Sequence, residues 1–300
     1  MTDVPPHLAA PASDVSPPEL AVRFAARSEA GPRAGNEDRF LVAELARSYR
    51  TRATNLDPGA FEAWREQPGW LFAVADGMGG AAAGEVASTL ALSLGLRLGL
   101  NRSRWFFEMG DDEAQEVASR AAKIFQRLDA EIAERSRANP ELHGMGSTLT
   151  VAYAVGDRLF LYHVGDSRAY LVRGGKLLRL TQDQTLAQWL ADHGQIPPEE
   201  IANHHLRHVL YQAIGRSDGK VEVEIHRLAL VDGDRLVLAS DGLSDALSDA
   251  ELEPLAIAAD APAACDRLLE AALVAGGRDN VTVLVADFSF APPRPESDAG

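Results

Sequence analysis

The feature that most constrains the fold is an apolar run, Gly69 to Ala75 (GWLFAVA), that breaks into Asp76 and a glycine-rich loop, GMGG. Such a run, bounded by glycines, predicts a buried strand that delivers a carboxylate to a tight loop. Helix-forming residues follow, so backbone can approach a ligand closely here. Because neither Lys nor Ser/Thr follows the glycines, a metal site is favoured over a nucleotide phosphate loop. A plain Asp-Gly turn is the alternative.

Two later segments place an aspartate beside glycine at a strand end in the same way. The apolar run from Arg235 ends at Asp241-Gly242, and GGR precedes Asp279 and the last apolar run. A loop between the first two strands carries Arg33 and Glu37, which alone would suit a surface ion pair. Divalent cations such as Mg²⁺ and Mn²⁺ prefer carboxylate and carbonyl oxygens. The candidate ligands are therefore Glu37, Asp76, Asp241 and Asp279, although turn formation explains each aspartate equally well.

Hydrophobic periodicity divides the chain into helical and extended parts. Helical patterns over 81–100 and 113–139 precede short alternating runs between 147 and 181, where turns at Gly165-Asp166 and elsewhere predict an antiparallel meander. No linker or repeat interrupts residues 20–290, which we interpret as one domain. Residues 1–19 and 291–300, rich in Pro, Ala and Ser, are expected to be disordered tails. The 47–68 connection is either an ordered excursion or a mobile loop.

Charge and cysteine content restrict the partners and the compartment. A net charge of -15 and a pI near 4.9 argue against nucleic acid or an anionic membrane as a partner. The single cysteine, Cys265, allows no internal disulfide, and its helical surroundings predict a buried small side chain and not a nucleophile. No signal peptide or membrane-spanning run is visible. A cytoplasmic location is expected.

Seven motifs then occur in a specific order: GPRAGNED, VADGMGGAAAGEVAS, GMGSTLT, HVGDSRAYL, LTQDQT, LASDGLSD and GGRDNVT. This ordered set resembles the bacterial PPM-type (type 2C) metal-dependent protein serine/threonine phosphatases over residues 20–290. The resemblance implies an α+β fold, a four-layer α/β/β/α sandwich of two antiparallel sheets flanked by helix pairs. It also implies two Mn²⁺ or Mg²⁺ ions, a third and weaker divalent ion, and hydrolysis of phosphoserine or phosphothreonine by in-line attack of a bridging water.

The resemblance further assigns roles to individual residues. Asp76 would bridge the two ions and Gly77 would bind through its carbonyl, while Arg33 would bind the substrate phosphate. Asp166, with Asp241, would hold the third ion, unless it is only a turn residue. The remaining implied metal ligands are Glu37 for one ion, and Asp241 and Asp279 for the other.

Several positions near this set are interpreted separately. Met78 stands where animal relatives carry a histidine thought to protonate the leaving group, so we assign that role to a metal-bound water and not to a side chain. Residues 182–208 correspond to the family's flap. Asp183 and Asn280 are interpreted as local loop organisers. The flap histidines, His204, His205 and His208, are interpreted as surface residues and not as a zinc site.

The expected partners follow from the same resemblance. They are phosphorylated proteins, the targets of a serine/threonine kinase and the kinase itself, with no nucleic acid and no membrane, and the protein is expected to be a monomer. One alternative is a catalytically inactive regulator, whose sign would be lost ligands. Another is a different two-metal hydrolase such as a phosphodiesterase, which the presence of Arg33 and the motif order disfavour.

Overall fold

The computed structural model describes six stretches of the chain, namely residues 19–45, 69–79, 82–100, 114–216, 221–257 and 260–291. The predicted tails lie outside these stretches except for Glu19 and Ala291, which begin and end strands. The 47–68 connection and Gly80 also lie outside the described residues. Within the described residues, no helix has both the length and the apolar character needed to cross a bilayer.

Two five-stranded antiparallel sheets form the centre of the molecule. The first sheet has the order β1 (Glu19–Glu29), β12 (Val281–Ala291), β11 (Arg235–Ala239), β8 (Arg168–Arg173) and β9 (Lys176–Arg179). The second has the order β10 (Glu224–Ala229), β7 (Arg158–Val164), β6 (Leu149–Val155), β3 (Gly69–Ala75) and β2 (Arg39–Leu45). A two-stranded ribbon pairs β4 (Gly77–Met78) with β5 (Gly146–Ser147).

Helix pairs cover the outer face of each sheet. The α-helices of the described residues are α1 (Ala82–Leu100), α2 (Ala114–Ala138), α3 (Leu186–Asp192), α4 (Asp241–Ala246), α5 (Asp249–Ile257) and α6 (Ala261–Val274), of which α3 lies in the segment between β9 and β10. The pair α1 and α2 packs on the second sheet, where Ala91 and Leu128 share a core with Tyr153. The pair α5 and α6 packs on the first sheet, where Leu268 meets Val285.

A third apolar core lies between the two sheets. It joins Phe72 and Leu161 of the second sheet to Leu238 and Phe288 of the first, and the rings of Phe72 and Phe288 meet edge to face at 6.0 Å. Apolar contact on both faces explains why β3 is an almost continuous apolar run. Three cores between four layers confirm the predicted α/β/β/α sandwich.

The predicted meander is wrong in one respect. Strands β6 and β7 form a hairpin in the second sheet and β8 and β9 form one in the first, so the chain changes sheet at Gly165-Asp166-Ser167. Gly165 has a φ of 112°, which glycine alone adopts readily, and a Cβ there would lie 2.6 Å from Thr148. Periodicity reports which side chains alternate but not which sheet a strand joins. Asp166 is therefore a crossover residue and not a hairpin-turn residue.

Strand pairing brings the chemically interesting segments to one edge of the sandwich. Arg39 of β2 pairs with Ala75 of β3, so Glu37 and Asp38 come beside Asp76. In the other sheet, β11 runs antiparallel to β12, with Ala239 opposite Val283. Asp241 and Asp279 therefore arrive at the same edge as Asp76.

Candidate metal centre

Carboxylates from four chain segments converge at this edge. Loss of hydration raises the pKa of Asp76 well above its usual value, and the nearby charge of Asp241, then those of Asp38 and Asp166, raise it further. The pKa of Asp241 is raised in the same way, by burial first and by Asp166 next. Burial raises the pKa of Asp38 to about 6, against its hydrogen bond from Ser240 Oγ at 2.6 Å. A cluster of this kind is unfavourable when all its members are charged, unless a cation joins it.

Two carboxylate oxygens of this cluster are left without a hydrogen-bond partner in the part of the chain that the structure describes. Among the described residues, Oδ1 of Asp38 and Oδ1 of Asp241 are buried without a hydrogen-bond partner. Leaving a buried carboxylate oxygen unpaired is costly. The carboxylates that converge here offer only oxygen ligands, which suit hard divalent cations. The residues present therefore fit Mg²⁺ or Mn²⁺.

Both the N–H and the carbonyl of Asp76 form hydrogen bonds with Ser147 and Thr148, at and just after the end of β5. The Asp76 N–H donates to Thr148 Oγ1 at 2.8 Å, while its carbonyl accepts from the Thr148 N–H and from Ser147 Oγ, both at 2.9 Å. Thr148 Oγ1 also shares a hydrogen bond with Ser167 Oγ at 2.7 Å. These buried hydroxyls connect the Asp76 loop directly to the crossover that carries Asp166.

The first turn of α1 fits closely against Glu37. A Cβ at Gly77 would lie 2.0 Å from the Gly84 carbonyl oxygen, and a Cβ at Gly84 would lie 2.6 Å from the Glu37 carboxyl carbon. Glycine is therefore required at position 77, where a Cβ would meet backbone, whereas a side chain at position 84 would displace the Glu37 carboxylate. Ser88 Oγ donates to the Glu37 carbonyl at 2.5 Å. Burial raises the pKa of Glu37, and the positive charge of Arg33 opposes that effect.

Asn280 joins the two loops that carry Glu37 and Asp279. Its Oδ1 accepts from the Glu37 N–H at 2.7 Å, and its side-chain amide donates to the carbonyls of Ala30 and Gly35, each at 2.9 Å. Its own N–H donates to Asp279 Oδ1 at 2.8 Å. The predicted organising role of Asn280 thus extends beyond its own turn, since it fixes loops from opposite ends of the chain.

Arg33 lies at the outer side of the carboxylate cluster. Its Nη2 contacts Asp279 Oδ2 at 2.6 Å, and its Nε donates to the Arg278 carbonyl at 3.3 Å. The surface pair with Glu37, considered from the sequence, is replaced by this contact with Asp279. Because the Arg33 side chain is 55% exposed, donors of its guanidinium remain accessible to a ligand.

Asp166 adjoins both the centre and the predicted flap. Burial raises its pKa to about 7, with further contributions from Asp183 and Asp245. Asp183 itself behaves differently, because its hydrogen bonds and charge contacts with Arg168 and Arg179 together outweigh burial and lower its pKa. The Arg168 Nη2 lies 2.7 Å from Asp183 Oδ2. Asp183 therefore anchors the start of the flap, as predicted for a loop organiser.

Sequence reasoning missed several residues of the centre. Asp38 follows Glu37 directly and could have been found from that position, whereas nothing in the spacing marked Thr148. Asp245 follows Asp241 by four residues on α4, a spacing that places both on one helical face. His208 Nδ1 lies 3.4 Å from Asp245 Oδ2, and single ligand atoms of His208, Asp241 and Asp245 lie within 4.8 Å of one another. Nothing in the spacing of the flap histidines distinguishes His208 from His204 and His205.

Comparison with known proteins places the chain among phosphatases. A family model described as Protein phosphatase 2C matches residues 50–273. The serine/threonine protein phosphatase PstP of Mycobacterium tuberculosis is 39% identical over 271 residues, which are 89% of this chain. The serine/threonine phosphatase stp of Listeria monocytogenes is 35% identical over 79% of this chain and 92% of its own length. This chain covers only 45% of PstP.

Solved structures agree with these sequence matches. The catalytic domain of PstP in complex with two manganese ions is 36% identical, with a TM-score of 0.67 over 90% of this chain and 99% of that one. The serine/threonine phosphatase of S. agalactiae is 27% identical, with a TM-score of 0.70 over 89% of this chain and 99% of that one. The two manganese ions of the first structure belong to the same class of hard divalent cation that the oxygen ligands here suit.

Proposed function

The chain belongs to the protein phosphatase 2C family of metal-dependent serine/threonine phosphatases, and we propose that it hydrolyses phosphoserine and phosphothreonine monoesters of proteins. The observation that carries the proposal is the convergence of buried carboxylates, two of which present unpartnered oxygens. When bound, two Mn²⁺ or Mg²⁺ ions supply concentrated positive charge for a phosphate dianion and acidify water near neutral pH. Every other contribution comes from residues of the chain.

The proposed ligands divide between the two sheets. Asp76, which follows β3, would be shared by both ions, and Gly77 would contribute its carbonyl. Glu37 would hold one ion, and Asp241 with Asp279 would hold the other. The hydrogen bonds of Thr148 and Asn280 support this division, because they fix the Asp76 backbone and hold the Glu37 loop against Asp279.

Arg33 is proposed to bind phosphate oxygens. Its guanidinium stands beside the carboxylate cluster with donors exposed, and a planar fork of N–H groups matches a phosphate bidentately. Asp279 holds it in place through the contact at 2.6 Å. Asp279 would thus serve both Arg33 and the proposed metal site.

The leaving alkoxide must receive a proton, and Met78 cannot provide one. A thioether has no titratable proton, so we assign the proton to water in the cleft. Asp166 and Asp241 are proposed to hold a third, weaker ion. Their juxtaposition supports this assignment, because the nearby charge of Asp166 adds to burial in raising the pKa of Asp241.

The proposed substrates are phosphorylated proteins, including the targets of a serine/threonine kinase and the kinase itself. Family membership supports this class of substrate, and the chain's acidity disfavours nucleic acid. Location in the cytoplasm and a monomeric state remain predictions from the sequence.

The deciding experiment compares Asp76→Ala with Asp166→Ala. Hydrolysis of a phosphothreonine peptide is measured with Mn²⁺ and after chelation, and Mn²⁺ binding is measured by calorimetry. Asp76→Ala should retain about a thousandth of the activity or less and lose at least one tight ion, because it removes a ligand shared by both positions. Asp166→Ala should keep two tight ions and show reduced turnover.

Two results would contradict the proposal. If both variants lose stability but keep specific activity in the folded fraction, the aspartates serve only to form turns. If Asp76→Ala still binds two Mn²⁺ ions, the shared-ligand assignment is wrong. Bis(p-nitrophenyl) phosphate serves as the diester control, since preferential cleavage of a diester would indicate a phosphodiesterase.

A further inference from the structure

Arg216 occupies a defined position at the rim of the candidate metal centre. Ile214 exchanges two backbone hydrogen bonds with Ser147, at 2.8 and 2.9 Å, and the Gly215 N–H donates to Asp129 Oδ1 at 2.7 Å. Gly215 has a φ of 87°, a conformation that favours glycine. The direction in which the Arg216 side chain leaves the backbone is therefore fixed by buried groups on both sides.

The Arg216 side chain crosses the ribbon next to the Asp76 loop. A Cβ at Gly146 would lie 2.6 Å from Arg216 Cγ and 2.8 Å from Cδ, so the absence of a side chain at Gly146 leaves a path for the arginine stem. Gly146 pairs with Met78 in the ribbon. The stem ends with Arg216 Nη1 at 3.7 Å from Met78 Sδ. The guanidinium thus stands beside a residue only two positions after Asp76.

Within the described residues, the Arg216 guanidinium has few hydrogen-bond acceptors. Among the described residues, the Met78 sulfur is the single acceptor found for it, and a thioether is a weak acceptor for a group with five N–H donors. Arg216 is exposed, whereas Arg33 is already engaged by Asp279. A cation with open donors therefore stands at the edge of a site lined by carboxylates.

We propose that Arg216 determines substrate specificity by binding an acidic side chain close to the phosphorylated residue. The inference rests on the proposed function. Two residues of extended chain span about 7 Å, so a phosphate held at Asp76 leaves Arg216 within reach of a neighbouring side chain of an extended peptide. Arginine binds carboxylates bidentately, which makes Asp or Glu near the phosphoresidue the preferred partner.

The test measures kcat/KM of the whole chain, with Mn²⁺, on three substrates. They are a phosphothreonine peptide with Asp at the first and second positions on both sides, the same peptide with Asn at those positions, and p-nitrophenyl phosphate. Arg216→Ala should lower kcat/KM on the Asp peptide about fivefold, the factor expected from a partly exposed charge pair. It should leave the other two substrates within about twofold. Arg216→Glu should reverse the preference between the peptides.

Arg267→Ala is the matched control, because Arg267 is an exposed arginine of α6 on the other helical layer. It should leave all three rates unchanged. Equal losses on all substrates for Arg216→Ala would show that the arginine acts on the phosphate or on the metal centre, and would overturn the inference. Unchanged preference between the peptides would overturn it as well.

Binding of the two fluorescein-labelled peptides, measured by polarisation, separates this inference from the proposed function. If the wild-type protein hydrolyses none of the three substrates, the proposed function fails. The preference for the Asp peptide, and its loss in Arg216→Ala, is still measured by polarisation and decides the role of Arg216 independently. Because the contact is partly exposed, the preference should also weaken at about 0.5 M salt.

Discussion

Replacing Thr148 by valine tests whether the backbone clamp on Asp76 controls metal binding. Valine keeps the shape of threonine at a position only 1% exposed, but removes the oxygen that accepts from the Asp76 N–H at 2.8 Å. The Ser167 hydroxyl, now 2.7 Å from that oxygen, can rotate towards another acceptor. The Asp76 N–H cannot, and a buried donor without a partner costs about 1–3 kcal/mol.

We therefore expect Thr148→Val to lower the free energy of unfolding by about 2 kcal/mol in urea. Mn²⁺ affinity should fall about 10- to 100-fold, the range typical for loss of a group that orients a metal ligand. Thr148→Ser keeps the hydroxyl and loses only a methyl group, so it should restore most of the metal affinity while still costing about 1 kcal/mol of stability.

The Mn²⁺ affinity of the wild type, Thr148→Val and Thr148→Ser is measured by calorimetric titration, and their free energy of unfolding by urea denaturation. The reasoning is refuted if Thr148→Val loses stability but binds Mn²⁺ as tightly as the wild type, because Thr148 would then support the fold alone. It is also refuted if the serine variant binds Mn²⁺ as weakly as the valine variant, since packing of the methyl group would then be responsible.

Two further predictions concern charge. Arg33→Ala should lower kcat/KM on p-nitrophenyl phosphate about 10- to 150-fold, since a charge-assisted hydrogen bond is worth roughly 1.5–3 kcal/mol. The Mn²⁺ affinity measured by calorimetry should be kept. Unchanged kinetics would mean that Arg33 is only a partner of Asp279. In the folded protein the pKa of Asp38 is about 6 and that of Asp166 about 7, both above the usual 3.8. Between about pH 4 and 7 the metal-free folded state therefore binds more protons than the unfolded chain. The free energy of unfolding should fall as pH rises through that window, by up to about 1.4 kcal/mol per pH unit for each extra proton. Melting temperatures in EDTA at pH 5 and 7.5 measure this trend, which saturating Mn²⁺ should remove or reverse; a metal-free protein that is more stable at pH 7.5 would contradict it.

Much of the secondary structure could be predicted from the sequence because the helical and strand periodicities of apolar residues are local patterns. The apolar run before Asp76 and the helical patterns of α1 and α2 depend only on neighbouring residues, and the structure has them close to where they were expected. Sheet membership is not local. Nothing within GDS distinguishes a hairpin from a crossover, since the difference lies in the packing of Gly165 against Thr148.

The residues of the candidate metal centre could also be predicted in part from the sequence. Strand ends with Asp and Gly pointed to carboxylates that do lie near one another, but their convergence follows from strand pairing between distant segments. Thr148 was missed because an ordinary threonine has no distinctive pattern, whereas Asp38 could have been inferred from its position directly after Glu37. The contact between Arg33 and Asp279 joins residues 246 positions apart, which no spacing rule reaches.

The pairing of β1 with β12 has a consequence for biosynthesis. These strands match along eleven residues, from Glu19 opposite Ala291 to Glu29 opposite Val281. During synthesis at about 5–20 residues per second, β1 emerges early and waits some tens of seconds for its neighbour, while the second sheet already has all of its strands. Asn280, which locks the Glu37 loop, is made just before β12. A nascent chain therefore completes its metal-binding edge only after β12 has been synthesised, and a ribosome stalled before β12 would display a half-built sandwich in which β1 has no partner strand and the Glu37 loop is not held by Asn280.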